Sequence, residues 1–143
     1  MKKKVSVITV NYNNLKGLER TIPSVLSQSF SDFEYIIVDG GSSDGSKEYI
    51  ESKREYINQW VSEKDHGVYN AMNKAIRMAQ GEYCIFMNSG DHFFSSQSLE
   101  NAAKMLNDKD YYVGETIIID SKLASLCLPP QNMSCLLYTS PSP

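Results

Sequence analysis

Apolar and polar positions follow two alternating periods along this chain. Val5-Ser6-Val7-Ile8-Thr9-Val10 is a short apolar run between lysines and Asn11-Tyr12-Asn13-Asn14, which predicts a buried strand. Leu15, Leu18, Ile22, Val25 and Leu26 then recur at helical spacing, with Pro23 placed to kink or restart the helix. Tyr35–Val38 predicts a second strand that stops at Asp39, and a Gly/Ser/Asp turn follows at once. Asp44 or Ser43 is placed to cap the next helix, with Tyr49 and Ile50 inward and Glu51–Glu55 toward water. Ile57–Val61 predicts a third strand around Trp60. The loop Ser62–Gly67 leads into a helix over Val68–Ala79, whose Ala71, Met72, Ala75, Ile76 and Ala79 form one apolar face. Gly81 is its stop. Tyr83–Met87 predicts a central strand ending in Asn88-Ser89-Gly90-Asp91. A helix carrying Leu99, Ala102, Ala103 and Leu106 and a strand over Tyr111–Ile119 close the regular pattern, which fades from about Lys122.

Strand and helix in alternation predict an α/β fold: a mainly parallel, Rossmann-like sheet flanked by helices. The 143 residues suit one domain, expected over 1–121, with an irregular tail over 122–143. The ending Tyr138-Thr139-Ser140-Pro141-Ser142-Pro143 resembles translated sequencing-adapter read-through, so the tail is expected to be non-native from about residue 135 and the gene C-terminally truncated. A sheet cut off after its last strand exposes an edge, which predicts poor solubility.

A formal charge of -3 and the lack of a basic stripe argue against a nucleic-acid partner. No stretch approaches the roughly 20 apolar residues that span a bilayer. Cys84, Cys127 and Cys135 are odd in number and without CxxC spacing, so neither a disulfide framework nor a zinc site is indicated, and a cytoplasmic location is expected.

Parallel strands place their C-terminal ends on one sheet edge, where open α/β sheets bind ligands. Three carboxylates arrive there: Asp39, Asp65 in the loop after the third strand, and Asp91. A carboxylate can accept the ring N3–H of uracil, for which Asp39 is the natural candidate. Asp91 follows Gly90, whose missing side chain lets a diphosphate and its cation approach the backbone. A hard divalent ion, Mg²⁺ or Mn²⁺, shares oxygen ligands between one or two carboxylates and substrate phosphates. Each aspartate taken alone reads equally as a turn former or cap, and Asp44 reads as a cap. His66 and His92 stand beside these aspartates without a third ligand, and Tyr12 and Tyr69 suit packing as well as base stacking.

Five ordered blocks resemble the family 2 glycosyltransferases, inverting enzymes of the GT-A fold. They are Val5–Asn13, Thr21–Phe30 with Phe33-Glu34, Val38–Ser46, Trp60–Ala75 and Ala79–Tyr83. The resemblance covers roughly residues 4 to 120, and its Glu63–Lys74 stretch is closest to bacterial enzymes that build capsular, exopolysaccharide or lipopolysaccharide repeats. It implies that Thr9, Val10 and Tyr12 line the nucleotide pocket. Asp39 would hold the base, Asp65 would position the nucleotide end of the donor, and Asp91 would carry the Mn²⁺ or Mg²⁺ and diphosphate role. The first acid of the usual metal-binding pair is absent, with Gly90 or Asn88 nearest.

The implied reaction is transfer of a sugar, with inversion, from a nucleotide-diphosphate donor, with a UDP-sugar expected, to a polysaccharide or lipid-linked acceptor. Such an acceptor would supply any peripheral membrane contact. The catalytic base is expected beyond the chain end, since Asp110, Glu115 and Asp120 lie in no recognisable base motif. The competing reading is a nucleotide-binding fragment without catalysis. A dinucleotide-binding enzyme is disfavoured, because no glycine fingerprint follows the first strand.

Overall fold

The computed structural model describes residues 2–106, 116–119 and 124–127, in two compact units, Met1–Met105 and Leu106–Pro143. The first unit holds β1 (Val5–Asn11), α1 (Leu15–Leu26), β2 (Phe33–Asp39), α2 (Ser46–Ser52), β3 (Gln59–Ser62), α3 (Val68–Met78), β4 (Tyr83–Phe86) and α4 (Ser98–Ala103). Its sheet order is β3-β2-β1-β4, and every pairing in it is parallel. The strand order reverses at β1, so the crevice between the C-terminal ends of β1 and β4 is the topological switch point where such sheets take ligands.

β1 is buried along its whole length, and β2 is buried from Glu34 onward. Side chains alternate across the sheet. Ile8, Val10, Ile36 and Val38 pack against Ala71 and Ala75 of α3, with Val61, Met72 and Phe86 around them. Val7, Thr9, Tyr35 and Ile37 take the opposite face; α1 packs against both β1 and α2 and buries Leu18, Ile22 and Val25.

The strands and helices fall where the periodicity puts them, with local differences; β4, expected as a central strand, stands at one end of the described four-stranded sheet, paired only with β1. α1 runs unbroken through Pro23, an exposed position. α2 starts after Gly45, whose φ of 96° suits glycine, yet Asp44 still serves the first turn by accepting from the Ser46 N–H. A short 3-10 turn at Arg54–Tyr56 shifts β3 two residues later at its start than the apolar run suggests. α4 ends at Ala103, short of Leu106.

In the second unit Thr116–Ile119 (β5) pairs antiparallel with Ala124–Cys127 (β6), a strand that the fading pattern after Lys122 did not announce. The early part of the expected Tyr111–Ile119 strand and the tail from 128 lie outside the described residues. Among the described residues, no helix is long and apolar enough to cross a membrane.

At the N-terminal edge a buried carboxylate ties three segments together. Glu34 Oε1 accepts from Ser6 Oγ at 2.6 Å and from the N–H groups of Gln80 and Gly81. Gly81 also donates to Ser6 Oγ at 2.8 Å. A methyl on Gly81 would stand 2.6 Å from Ser6 N and 2.8 Å from the Val5 carbonyl carbon, both backbone atoms that cannot easily yield. Gly81→Ala is expected to cost roughly 1–3 kcal/mol as an overpacking defect. Thermal melts would show it, and an unchanged midpoint would mean that the β1 backbone gives way there.

Candidate functional site

Three strand ends carry polar side chains in register: Asn11 lies opposite Asp39, and Asp39 opposite Ser62. Because paired residues of a parallel sheet share a face, they form a polar ladder at the C-terminal edge. Asp39 is fully buried. Its Oδ1 accepts from Asn11 Nδ2 at 2.7 Å and Ser42 Oγ at 2.6 Å. Its Oδ2 accepts from Ser62 Oγ at 2.7 Å and the Ser42 N–H at 2.9 Å. Burial pushes the carboxyl upward, but the bonds from Ser42, Ser62 and Asn11 outweigh it and hold Asp39 below its ordinary value.

The ladder organises the loops above it. Ser42 Oγ accepts from the Asn13 N–H and Asn13 Oδ1 from the Ser43 N–H, with Asn13 at a left-handed φ of 46° that asparagine tolerates. Asp44 links two helices, since Oδ2 accepts from the Leu15 N–H of α1 while Oδ1 takes Ser46 of α2. Gly40 and Gly41 then lie directly against the loop after β3. A methyl on Gly40 would stand 2.7 Å from Asp65 Oδ2, and one on Gly41 would stand 3.1 Å from Lys64 N. The Asp65 carboxylate is thus seated over the end of β2. One oxygen accepts from the Gly67 N–H at 3.1 Å, which orders the start of α3. The other makes no hydrogen bond among the described residues.

Across the switch point, Asn88-Ser89-Gly90-Asp91 is a tight turn closed by the Asp91 N–H to the Asn88 carbonyl at 2.9 Å. Gly90, with φ 103°, supplies the left-handed third residue that a type II turn needs. Conformation rather than space excludes an acid here, since the nearest atom to a Gly90 methyl would be Asn14 Nδ2 at 3.7 Å. Asp91 is partly buried, and its carboxylate makes no hydrogen bond or ion pair with a side chain among the described residues. Burial raises its pKa, only partly offset by the Asn88 backbone and the neighbouring His92. Two buried side-chain oxygens in the described residues lack any partner: Asn11 Oδ1 at the end of β1 and Asn88 Oδ1 in the turn after β4.

The sequence-derived candidates separate into two groups. Asp65 and Asp91 keep carboxylate oxygens available, and Tyr12, 66% exposed just past β1, stays open to a ligand. Val10 is buried against α3. The Thr9 hydroxyl is committed inward: it donates to the Met87 carbonyl at 2.7 Å and so receives the Tyr35 hydroxyl at 2.8 Å, while burial pushes the Tyr35 phenol up. Asp39 is likewise filled by its four donors. Among the described residues no cluster of three or more His, Cys, Asp or Glu side chains could hold a metal. Oxygen donors of the kind a hard cation takes are present in the Asn88–Asp91 turn, namely the Asp91 carboxylate and the unpartnered Asn88 Oδ1. Asn11, Asn14, Thr21, Ser42, Ser62 and Asn88 were not singled out as candidates by pattern. The legible signal for Ser42 and Ser62 was only their position after apolar runs.

The family model of glycosyl transferase family 2 matches residues 6–129. An uncharacterized glycosyltransferase of Mycobacterium tuberculosis is 39% identical over 106 residues, which covers 73% of this chain and 40% of that protein. Among solved structures, a fragment of Staphylococcus aureus TarS in complex with UDP superposes with a TM-score of 0.65 at 31% identity, covering 71% of this chain and 31% of that one. The mannosyltransferase PcManGT of Pyrobaculum calidifontis, in complex with GDP-Man and Mn²⁺, superposes with a TM-score of 0.66 at 26% identity, covering 76% and 33%. The chain thus spans 40% or less of the length of these proteins.

Proposed function

This chain belongs to glycosyl transferase family 2, and on that premise we propose that it is the donor-binding part of an inverting enzyme that transfers a sugar from a nucleotide-diphosphate donor. A UDP-sugar is the favoured donor, and a saccharide or lipid-linked saccharide the acceptor. The carrying observation is that two carboxylates with free oxygens stand on the C-terminal edge of the sheet, Asp65 over the end of β2 and Asp91 past β4, while Asp39 is consumed by its own ladder. On this reading Asp65 accepts the ring N–H of the base, Tyr12 offers its exposed face to it, and Asp39 acts through the turn that it orders. Asp91 faces the diphosphate end. A divalent cation there, Mn²⁺ or Mg²⁺, would offset the charge that develops on the leaving diphosphate. The ordered turn at Asn88–Asp91 holds the Asp91 carboxylate in place before the donor arrives, so little reorganisation is needed.

Isothermal titration of UDP, with and without Mn²⁺, tests this on the wild-type chain and on Asp65→Asn. The wild type should bind, and more tightly with Mn²⁺. Asp65→Asn should lose about tenfold in both conditions, as expected for a hydrogen bond to a charged acceptor. CDP, whose ring N3 carries no hydrogen, should bind more weakly than UDP to the wild type and about equally to the variant. No heat from folded wild-type protein would sink the donor-site reading. Unchanged UDP affinity in Asp65→Asn would sink the role given to Asp65.

A further inference from the structure

The turn that carries Asp91 is held from outside by α1, and Thr21 is the centre of that hold. Thr21 is fully buried on α1, four residues after Gly17. Its hydroxyl donates to the Asp91 carbonyl at 2.6 Å and accepts from the Gly90 N–H at 2.9 Å, with the Asn88 carbonyl at 3.4 Å. One hydroxyl therefore satisfies a backbone group on each side of the Gly90–Asp91 pair that bears the carboxylate. Asn14, the N-cap of α1, adds a second grip: its Nδ2 donates to the Ser89 carbonyl at 3.2 Å and Ser89 Oγ at 3.3 Å, while its Oδ1 caps Gly17. Gly17 makes the approach possible, since a methyl there would stand 2.8 Å from Gly90 N.

We propose that Thr21, assisted by Asn14, is a positioning residue for the diphosphate end of the donor, setting where the Asp91 carboxylate meets the cation; this rests on the assignment of Asp91 above. The turn's own closing bond, Asp91 N–H to Asn88, fixes its shape, and the Ser89 N–H to the Val10 carbonyl at 3.1 Å ties its first half to β1. Thr21 ties the other half, Gly90 and Asp91, to α1. A lone carboxylate without a second acid beside it depends on placement alone, because no neighbouring acid can compensate for a displaced one.

The test measures UDP affinity with and without Mn²⁺ for the wild type, Thr21→Val, Thr21→Ser, Asn14→Ser and Asp91→Asn. Valine keeps the shape of threonine and removes the hydroxyl. Serine at 21 keeps the hydroxyl, and serine at 14 keeps the cap while dropping the amide donor. Thr21→Val should lose tenfold or more of the Mn²⁺-dependent gain and leave metal-free UDP affinity within twofold, a split that general destabilisation would not produce. Thr21→Ser should restore the gain to within about threefold of wild type. Asn14→Ser should lose a smaller, still Mn²⁺-specific part, and it decides the matter if Thr21→Val does not fold. A wild-type gain lost in Asp91→Asn but kept in Thr21→Val, or in Asn14→Ser if valine does not fold, overturns the role of Thr21 alone. A gain kept in Asp91→Asn, or absent from the wild type, overturns the assignment of Asp91 and this proposal with it.

Discussion

Asp39→Ala is expected to remove about 3–5 kcal/mol of stability, because four donors lose their common acceptor, a fully buried carboxylate. Hydrogen bonds to a charged group contribute roughly 1.5–3 kcal/mol each, and only part can be recovered elsewhere. Asn11 Nδ2 has a second contact, Ser42 Oγ at 3.3 Å, which sets the lower end of the range. With net stabilities of about 5–15 kcal/mol for a domain, the loss is a large fraction of the total. For about 100 residues it corresponds to a fall of 15 °C or more in Tm.

The same ladder gives the stability a pH dependence of defined sign. The folded-state pKa of Asp39 lies below its unfolded value, so its contribution is complete above the unfolded pKa, near pH 4. It is lost as pH falls through the folded value. Thermal melts between pH 7 and pH 3 should show the wild type losing stability at the acid end. Asp39→Ala, already low at pH 7, should lose correspondingly less over that range. A variant that melts within about 2 °C of wild type at pH 7 would show the ladder to be ornamental. Loss of nucleotide binding in such a variant would then point to direct contact with the base.

The two sheet edges differ in how much of them can be read along the chain. The buried strands were legible because apolar runs such as Val5–Val10 and Tyr35–Val38 end abruptly at polar residues. Asp39 and Asp91 stood out for the same reason. Their environments were not legible, since the partners of Asp39 come from three separate segments and meet only through register: Asn11 on β1 and Ser62 on β3. Nothing local distinguishes Ser62 from any serine after a strand. Asp65 was legible as a carboxylate in the loop after the third strand, but the free oxygen that recommends it depends on Gly40, 25 residues upstream, leaving room for it. The 3-10 turn at Arg54–Tyr56 was hidden inside a polar stretch that reads equally as helix. Ala124–Cys127 was missed because four residues without alternation carry no period, and an antiparallel partner supplies what the pattern does not.

Asp91→Asn should separate function from stability more cleanly than any other substitution at this edge. The change is nearly isosteric and leaves in place the backbone groups that bind Thr21 and close the turn. It removes a negative charge that burial disfavours and that no cationic side chain offsets through an ion pair among the described residues. A carboxyl with a raised folded-state pKa costs stability above that pKa, and the cost disappears as pH falls below the unfolded value. The variant should therefore melt at the same temperature as wild type or slightly higher at pH 7. Binding should move the opposite way, with the Mn²⁺-dependent part of UDP affinity lost. In a full-length parent, turnover should fall at least about 100-fold, the range seen when one preorganised electrostatic contact to a developing charge is removed. Such opposed signs are hard to obtain from a residue that only shapes its loop, for which stability and binding should decline together. A variant that melts well below wild type and keeps its Mn²⁺ response would assign Asp91 to the architecture of the turn and leave the cation to the donor's phosphates alone.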